Sequence, residues 1–259
     1  MPLLQTTQGK LVYAGRGTSS PPLVCLHGAG GNHRHWGYQL RDLCPKRRIL
    51  TFDLPGHGRS PEPGCKRIED YGNWLLTALD ILDIEQTFIA GHSMGGMIAL
   101  WVALHAPERV AGLILTSTGA RLKILPLLLE NLANGGLNLT VQTIVQRGYG
   151  KKAAPELVLA GSQDFKQVKP TVFYGDFLAC NEFNVMDKLG RITCPTLILC
   201  GEEDEVTPPK FSLYLQKHIP RAKLVIIPEA GHMLPLEKPI EVSAEIGNFL
   251  ETTFQDKND

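Results

Sequence analysis

Short runs of apolar residues recur along the chain, separated by stretches in which apolar and polar positions alternate at helical spacing. Leu23-Val24-Cys25-Leu26, Arg48-Ile49-Leu50-Thr51-Phe52 and Thr87-Phe88-Ile89-Ala90 are three such runs. Ala111-Gly112-Leu113-Ile114-Leu115, Thr196-Leu197-Ile198-Leu199-Cys200 and Leu224-Val225-Ile226-Ile227 are three more. Nearly continuous apolar character is what a parallel strand needs when helices cover both of its faces. A weaker run, Lys10 to Ala14, brings the strand count to about seven or eight. Between the runs, Tyr71, Trp74, Leu75, Ala78, Leu79 and Leu82 form one apolar stripe on a helix. Ile240, Ala244, Gly247, Leu250 and Phe254 predict another, opened by Pro239 at a first helical position. Met97 to Leu104 is apolar on all sides, which predicts a buried helix.

Strands alternating with helices predict an α/β fold: a mostly parallel, roughly eight-stranded sheet with helices on both faces. The alternation stops between Gly119 and Ile192. That stretch has no convincing strand but holds Leu-rich pieces over 122–132 and 137–145, then helical patterns over 153–159 and 172–180. It reads as a helical cap (119–192) inserted into a core made of residues 1–118 and 193–259.

Composition narrows the function classes. The 259 residues carry 26 basic and 26 acidic side chains, so the formal net charge is zero. Neither nucleic acid nor an anionic membrane surface is favoured as a partner. No run approaches the roughly 20 apolar residues that span a bilayer. Met1 to Thr7 lacks the basic start and apolar stretch of a signal peptide, so a cytoplasmic protein is expected. The six cysteines are scattered without a Cys-x-x-Cys pair and read as free thiols, Cys25 and Cys200 as buried small hydrophobes. In that setting the glycosylation pattern Asn138-Leu139-Thr140 carries no weight. No metal-ligand spacing appears, and neither a metal nor an organic cofactor is expected.

The chemistry concentrates in loops that follow the strands. Gly91-His92-Ser93-Met94-Gly95 lies between an apolar strand and an apolar helix. A serine on so sharp a turn crowds its neighbours two residues away on each side, and glycine suits both places. The turn exposes the hydroxyl at the carboxyl edge of the sheet, where open α/β sheets bind ligands. Serine needs a base to act as a nucleophile. His232, just past the last strand, emerges on the same edge. His27 and His57 also follow strands and are read as loop organisers, whereas His92 is fixed inside the turn and points away from the Ser93 hydroxyl. An acid must hold the imidazole tautomer. Gly201-Glu202-Glu203-Asp204-Glu205 supplies four; Asp204 is preferred, with Glu203 and Glu202 as alternatives and Asp53 as a weaker rival that pins its own glycine-rich loop. Backbone N–H donors for an oxyanion are expected from Met94 and from Ala29 in the Gly28-Ala29-Gly30-Gly31 loop, with Gly30 next in line.

These motifs together resemble the α/β-hydrolase family, in its esterase-like branch with a helical cap. The matching pieces are His27-Gly28-Ala29-Gly30-Gly31, Asp53-Leu54-Pro55-Gly56-His57-Gly58-Arg59-Ser60, Gly91-His92-Ser93-Met94-Gly95-Gly96, Gly201-Glu202-Glu203-Asp204 and Gly231-His232. They stand in the family's order of nucleophile, acid and histidine. The resemblance implies Asp204 as the acid and a carboxylesterase on a small-molecule ester, acting as a monomer or homodimer. Thr118-Gly119-Ala120-Arg121-Leu122 is similar to a stretch of enol-lactone hydrolases, which makes Arg121 a candidate for a substrate carboxylate. Gly30 and the cap residue Leu139 are further candidate substrate contacts. Enol-lactone hydrolysis, carbon–carbon bond hydrolysis and perhydrolysis use similar residues. A small-ligand receptor that keeps the fold is the alternative of another class.

Overall fold

The computed structural model describes residues 3–6, 9–44 and 46–255. In chain order the elements are β1 (Leu3–Thr6), β2 (Gly9–Arg16), β3 (Leu23–Leu26), α1 (Gly37–Leu43), β4 (Ile49–Asp53), α2 (Ile68–Ile81), β5 (Thr87–His92), α3 (Met94–His105) and β6 (Val110–Thr116). Four helices follow: α4 (Pro126–Ala133), α5 (Asn138–Gly148), α6 (Pro155–Lys166) and α7 (Pro170–Glu182). The chain then returns through β7 (Thr196–Gly201), α8 (Pro209–His218), β8 (Ala222–Ile227), α9 (Leu234–Glu237) and α10 (Pro239–Gln255).

The eight strands form one sheet in the order β1-β2-β4-β3-β5-β6-β7-β8. β2 is antiparallel to both its neighbours, and every other pairing is parallel. Every residue of β3, β4, β5, β6 and β7 is buried, as their apolar runs require. The two-residue period of a strand sends alternate side chains to opposite faces. Val24, Leu26, Ile89, Leu113, Leu115 and Ile198 therefore pack with α2, α3 and α8 on one side. Leu23, Cys25, Phe88, Ala90, Ile114, Leu197 and Leu199 pack with Trp36 and α10 on the other. The helix after Ser93 is buried on nearly all sides, as its composition demands.

Three expectations need adjustment. β1 is a strand that the apolar pattern does not reveal: it has four residues and sits at the sheet edge. β5 runs on to His92, so Ser93 follows the strand directly. The inward stripe of α10 is Val242, Ile246 and Leu250, while Ile240 is 75% exposed and Ala244 is exposed. Both sets have helical spacing and share Leu250, and the one with Val242 and Ile246 covers the sheet. The side chain of Phe254 lies outside the described residues.

The stretch between β6 and β7 contains α4 to α7 and no strand of the sheet. Leu128, Leu132, Val141, Phe165, Phe173 and Phe177 from these helices make a third cluster together with Met233, beside His232. No described helix is long and apolar enough to cross a membrane, and the six cysteines form no disulfide.

Candidate active site

Ser93 sits at φ 53° and ψ −116°, left-handed backbone that costs a non-glycine residue of order 1–3 kcal/mol. The surroundings over-determine it. Its N–H donates to the Thr116 carbonyl at 3.0 Å, and the Thr118 hydroxyl donates to the Ser93 carbonyl at 2.7 Å. A Cβ on Gly91 would stand 2.2 Å from the Gly95 carbonyl oxygen, and one on Gly95 would stand 2.3 Å from that of Leu26. Only glycines let strand, turn and helix approach this closely.

Asp204 follows β7, and His232 lies in the loop after β8. The His232 Nδ1–H donates to Asp204 at 2.9 Å from Oδ2 and 3.2 Å from Oδ1. The backbone N–H groups of Val206 and Thr207 donate to Oδ1, and the Thr207 hydroxyl donates to Oδ2. Burial raises the Asp204 pKa, but the His232 ring and the Thr207 donors outweigh it and hold the carboxyl below its ordinary value. Its neighbour Glu203 goes elsewhere, accepting the Lys151 N–H at 2.7 Å. Asp53 accepts from His33 and from the Arg59 N–H, so it pins its own loop.

The loop of His232 is anchored three times. Met233 N–H donates to the Gly148 carbonyl at 2.9 Å, and Gly231 N–H donates to Glu237 at 3.1 Å. His92 Nε2–H donates to the His232 carbonyl at 2.8 Å. Burial keeps His92 neutral, well below the ordinary histidine value, so its ring serves as a strut.

The loop after β3 is held by His27, whose Nδ1–H donates to the Gly28 carbonyl while Nε2 accepts the Leu54 N–H. That pattern needs the neutral ring, and burial pushes the His27 pKa well down. Among the described residues, neither the Ala29 nor the Met94 N–H has a protein acceptor. Gly30 N–H is committed, donating to Asp176 at 2.9 Å. Its φ of +64° suits glycine, and a Cβ there would sit 2.3 Å from the Phe173 ring.

A cavity of about 120 Å³ opens at Ser93 and His232. Gly28 and Ala29 line it, and the stretch after β6 supplies most of the rest, Leu122, Ile124, Leu128, Ile144, Phe165 and Phe177 among them. Its charged lining residues are Lys123 and Arg147. Of the expected substrate contacts, Gly30, Arg121 and Leu139 are not among the residues lining this cavity. The Gly30 amide is used internally, Arg121 is exposed where the chain bridges Asn184, and Leu139 packs among the helices. Asp176, Thr207 and Glu237 went unnoticed in the sequence because none belongs to a motif. A lone acid in the apolar segment Val172 to Cys180 was the available signal for Asp176.

A serine on a strained strand-to-helix turn and the imidazole of a carboxylate–imidazole pair line one cavity at the carboxyl edge of a mostly parallel sheet, which is the layout of a hydrolase. Residues 21–239 match the family described as alpha/beta hydrolase fold, and the chain belongs to that family. It is 30% identical over 226 residues to 3-oxoadipate enol-lactonase 2 of Acinetobacter baylyi, covering 85% of this chain and 84% of that protein. A malate-bound thermophilic esterase from Thermogutta terrifontis superposes with a TM-score of 0.88 at 28% identity, over 97% of this chain and 98% of that one. The enol-lactonase of Burkholderia xenovorans LB400 shares the fold with a TM-score of 0.91 at 21% identity, over 96% of this chain and all (100%) of that one.

Proposed function

We propose that the protein is a serine esterase that cleaves small-molecule carboxylic esters through an acyl-enzyme on Ser93. The observation that carries the reading is the Asp204–His232 pair, 2.9 Å apart, whose imidazole lines the same cavity as Ser93. With Nδ1 committed to Asp204, the other ring nitrogen is the base. His232 takes the Ser93 proton as the hydroxyl oxygen attacks the ester carbonyl. The Ala29 and Met94 amides stabilise the oxyanion. His232 then protonates the departing alcohol, and water repeats the sequence to free the acid. Residues 119–192 act as a cap whose apolar side chains receive the acyl group.

Ser93→Ala should cut turnover of a p-nitrophenyl ester by roughly 10³-fold or more. Retention of that turnover overturns the nucleophile assignment. A second reading, hydrolysis of an enol lactone, is favoured by the 30%-identical relative and by Lys123 and Arg147 in the cavity lining. A chain-length series of esters run beside an enol lactone separates the two. Tight binding of a small ligand without turnover of any of them would instead indicate a receptor.

A further inference from the structure

Asp176 lies on α7 and is fully buried. Its Oδ2 accepts the Gly30 N–H at 2.9 Å and the His57 Nε2–H at 2.8 Å. Its Oδ1 accepts the Tyr71 hydroxyl at 2.6 Å. The three donors come from the loop after β3, the loop after β4 and α2, so one carboxylate on an inserted helix grips three parts of the core. His57 and Tyr71 are likewise buried. A buried charge is tolerated only with such partners. Burial lowers the His57 pKa, but the Asp176 charge overrides it and the net direction is up. The His57 Nδ1 also bonds the Pro55 carbonyl at 2.9 Å, so both ring nitrogens are held by acceptors.

Gly30 N–H belongs to the peptide unit that follows Ala29. Fixing that unit fixes the backbone on one side of the Ala29 amide. Phe173, one turn before Asp176 on the same helix face, closes over Gly30 and leaves no room for a Cβ. The loop is therefore held by α7 through one polar and one apolar contact. We propose that Asp176 is a positioning residue: by holding the Gly30 N–H it aims the Ala29 amide at the oxyanion, and so couples the seating of the inserted helices to acyl transfer. This role rests on the esterase reading, in which Ala29 supplies an oxyanion donor.

Asp176→Asn keeps the shape but has one acceptor oxygen for three donors and no charge to hold the His57 ring, so the Gly30 N–H competes with His57 and Tyr71 for a weaker acceptor. In the folded variant the Gly30 amide should exchange with solvent at least tenfold faster. On a p-nitrophenyl ester kcat should fall about 10- to 100-fold, as for a misplacement of about 1 Å, with KM within about threefold. Phosphonylation of Ser93 by a fluorophosphonate should slow by a similar factor. A folded Asp176→Asn with kcat within twofold of wild type, or with unchanged Gly30 exchange, overturns the role. Should Asp176→Asn not fold, Tyr71→Phe removes one donor and leaves the His57 contact. Faster Gly30 exchange and a kcat loss of about two- to fivefold at constant KM are then expected, and no change in either overturns the proposal. Wild-type protein that turns over no ester overturns the esterase reading and this role together, whereas wild-type turnover that Asp176→Asn leaves intact overturns this role alone.

Discussion

At the residue scale, four acids crowd positions 202 to 205, and side-chain length and partners separate them. Asp204 is buried and collects the Val206 and Thr207 amides, the Thr207 hydroxyl and the His232 ring. Glu203 bends to the Lys151 amide, and Glu205 lies 4.0 Å from Arg147 at the surface. A short carboxylate fixed by three donors has one geometry to offer His232, whereas Glu203 and Glu205 face other partners. Asp204→Asn should therefore lower kcat on a p-nitrophenyl ester by about 10³- to 10⁴-fold, because the amide favours the wrong imidazole tautomer. Glu203→Gln should lose less than about threefold, since the amide oxygen still accepts from Lys151. Steady-state kinetics of the two variants, side by side, decide the acid, and the opposite ranking would reassign it.

At the element scale, the legible parts were those in which one pattern decides. Strands β3 to β7 are apolar on both faces because both faces are covered, so composition alone marked them. Ser93 was legible because a glycine two residues to each side is what the close approach of strand and helix demands. Two patterns competed along α10, and there the spacing could not choose the phase. Val242, Ile246 and Leu250 lie on the sheet, and Ile240 projects into solvent. Ile246→Ala should cost about 2–5 kcal/mol by leaving a cavity. Ile240→Ser should stay within about 0.5 kcal/mol. Urea denaturation of both variants checks the phase; equal losses would mean that the helix is turned. The inserted helices were the least legible of all. They line much of the cavity and reach the loop after β3 through Asp176 and Phe173, and no local pattern tells which core loop a distant helix will touch. The same gap explains why Arg121 and Leu139 were expected at the cavity while Lys123 and Arg147 line it.

At the scale of the whole molecule, buried histidines should set the pH response of stability. Burial pulls His35 from about 6.5 down to about 4, and it pushes His27 and His92 well below their ordinary value. Below about pH 6.5 the unfolded chain binds protons at these three rings while the folded protein does not, so stability falls as pH falls. Each ring contributes a slope of up to about 1.4 kcal/mol per pH unit between its unfolded and folded values, which for His35 amounts to about 3 kcal/mol by pH 4. Asp204 and Asp53, held below the ordinary aspartate value, extend the loss further into acid. His57 has the opposite sign. Its folded value is raised, so its contribution is complete below about pH 6.5 and is lost as pH rises through the folded value. The two trends place the stability maximum near pH 6.5 to 7, with the steeper side in acid, because three rings act there against one. Urea midpoints measured from pH 4 to 9 should trace that asymmetric dome. His35→Gln should flatten the acid limb by about one proton, whatever it does to stability at neutral pH. An acid limb of unchanged slope in that variant would show that His35 is charged in the folded protein, and that its imidazole has found an acceptor beside the cavity.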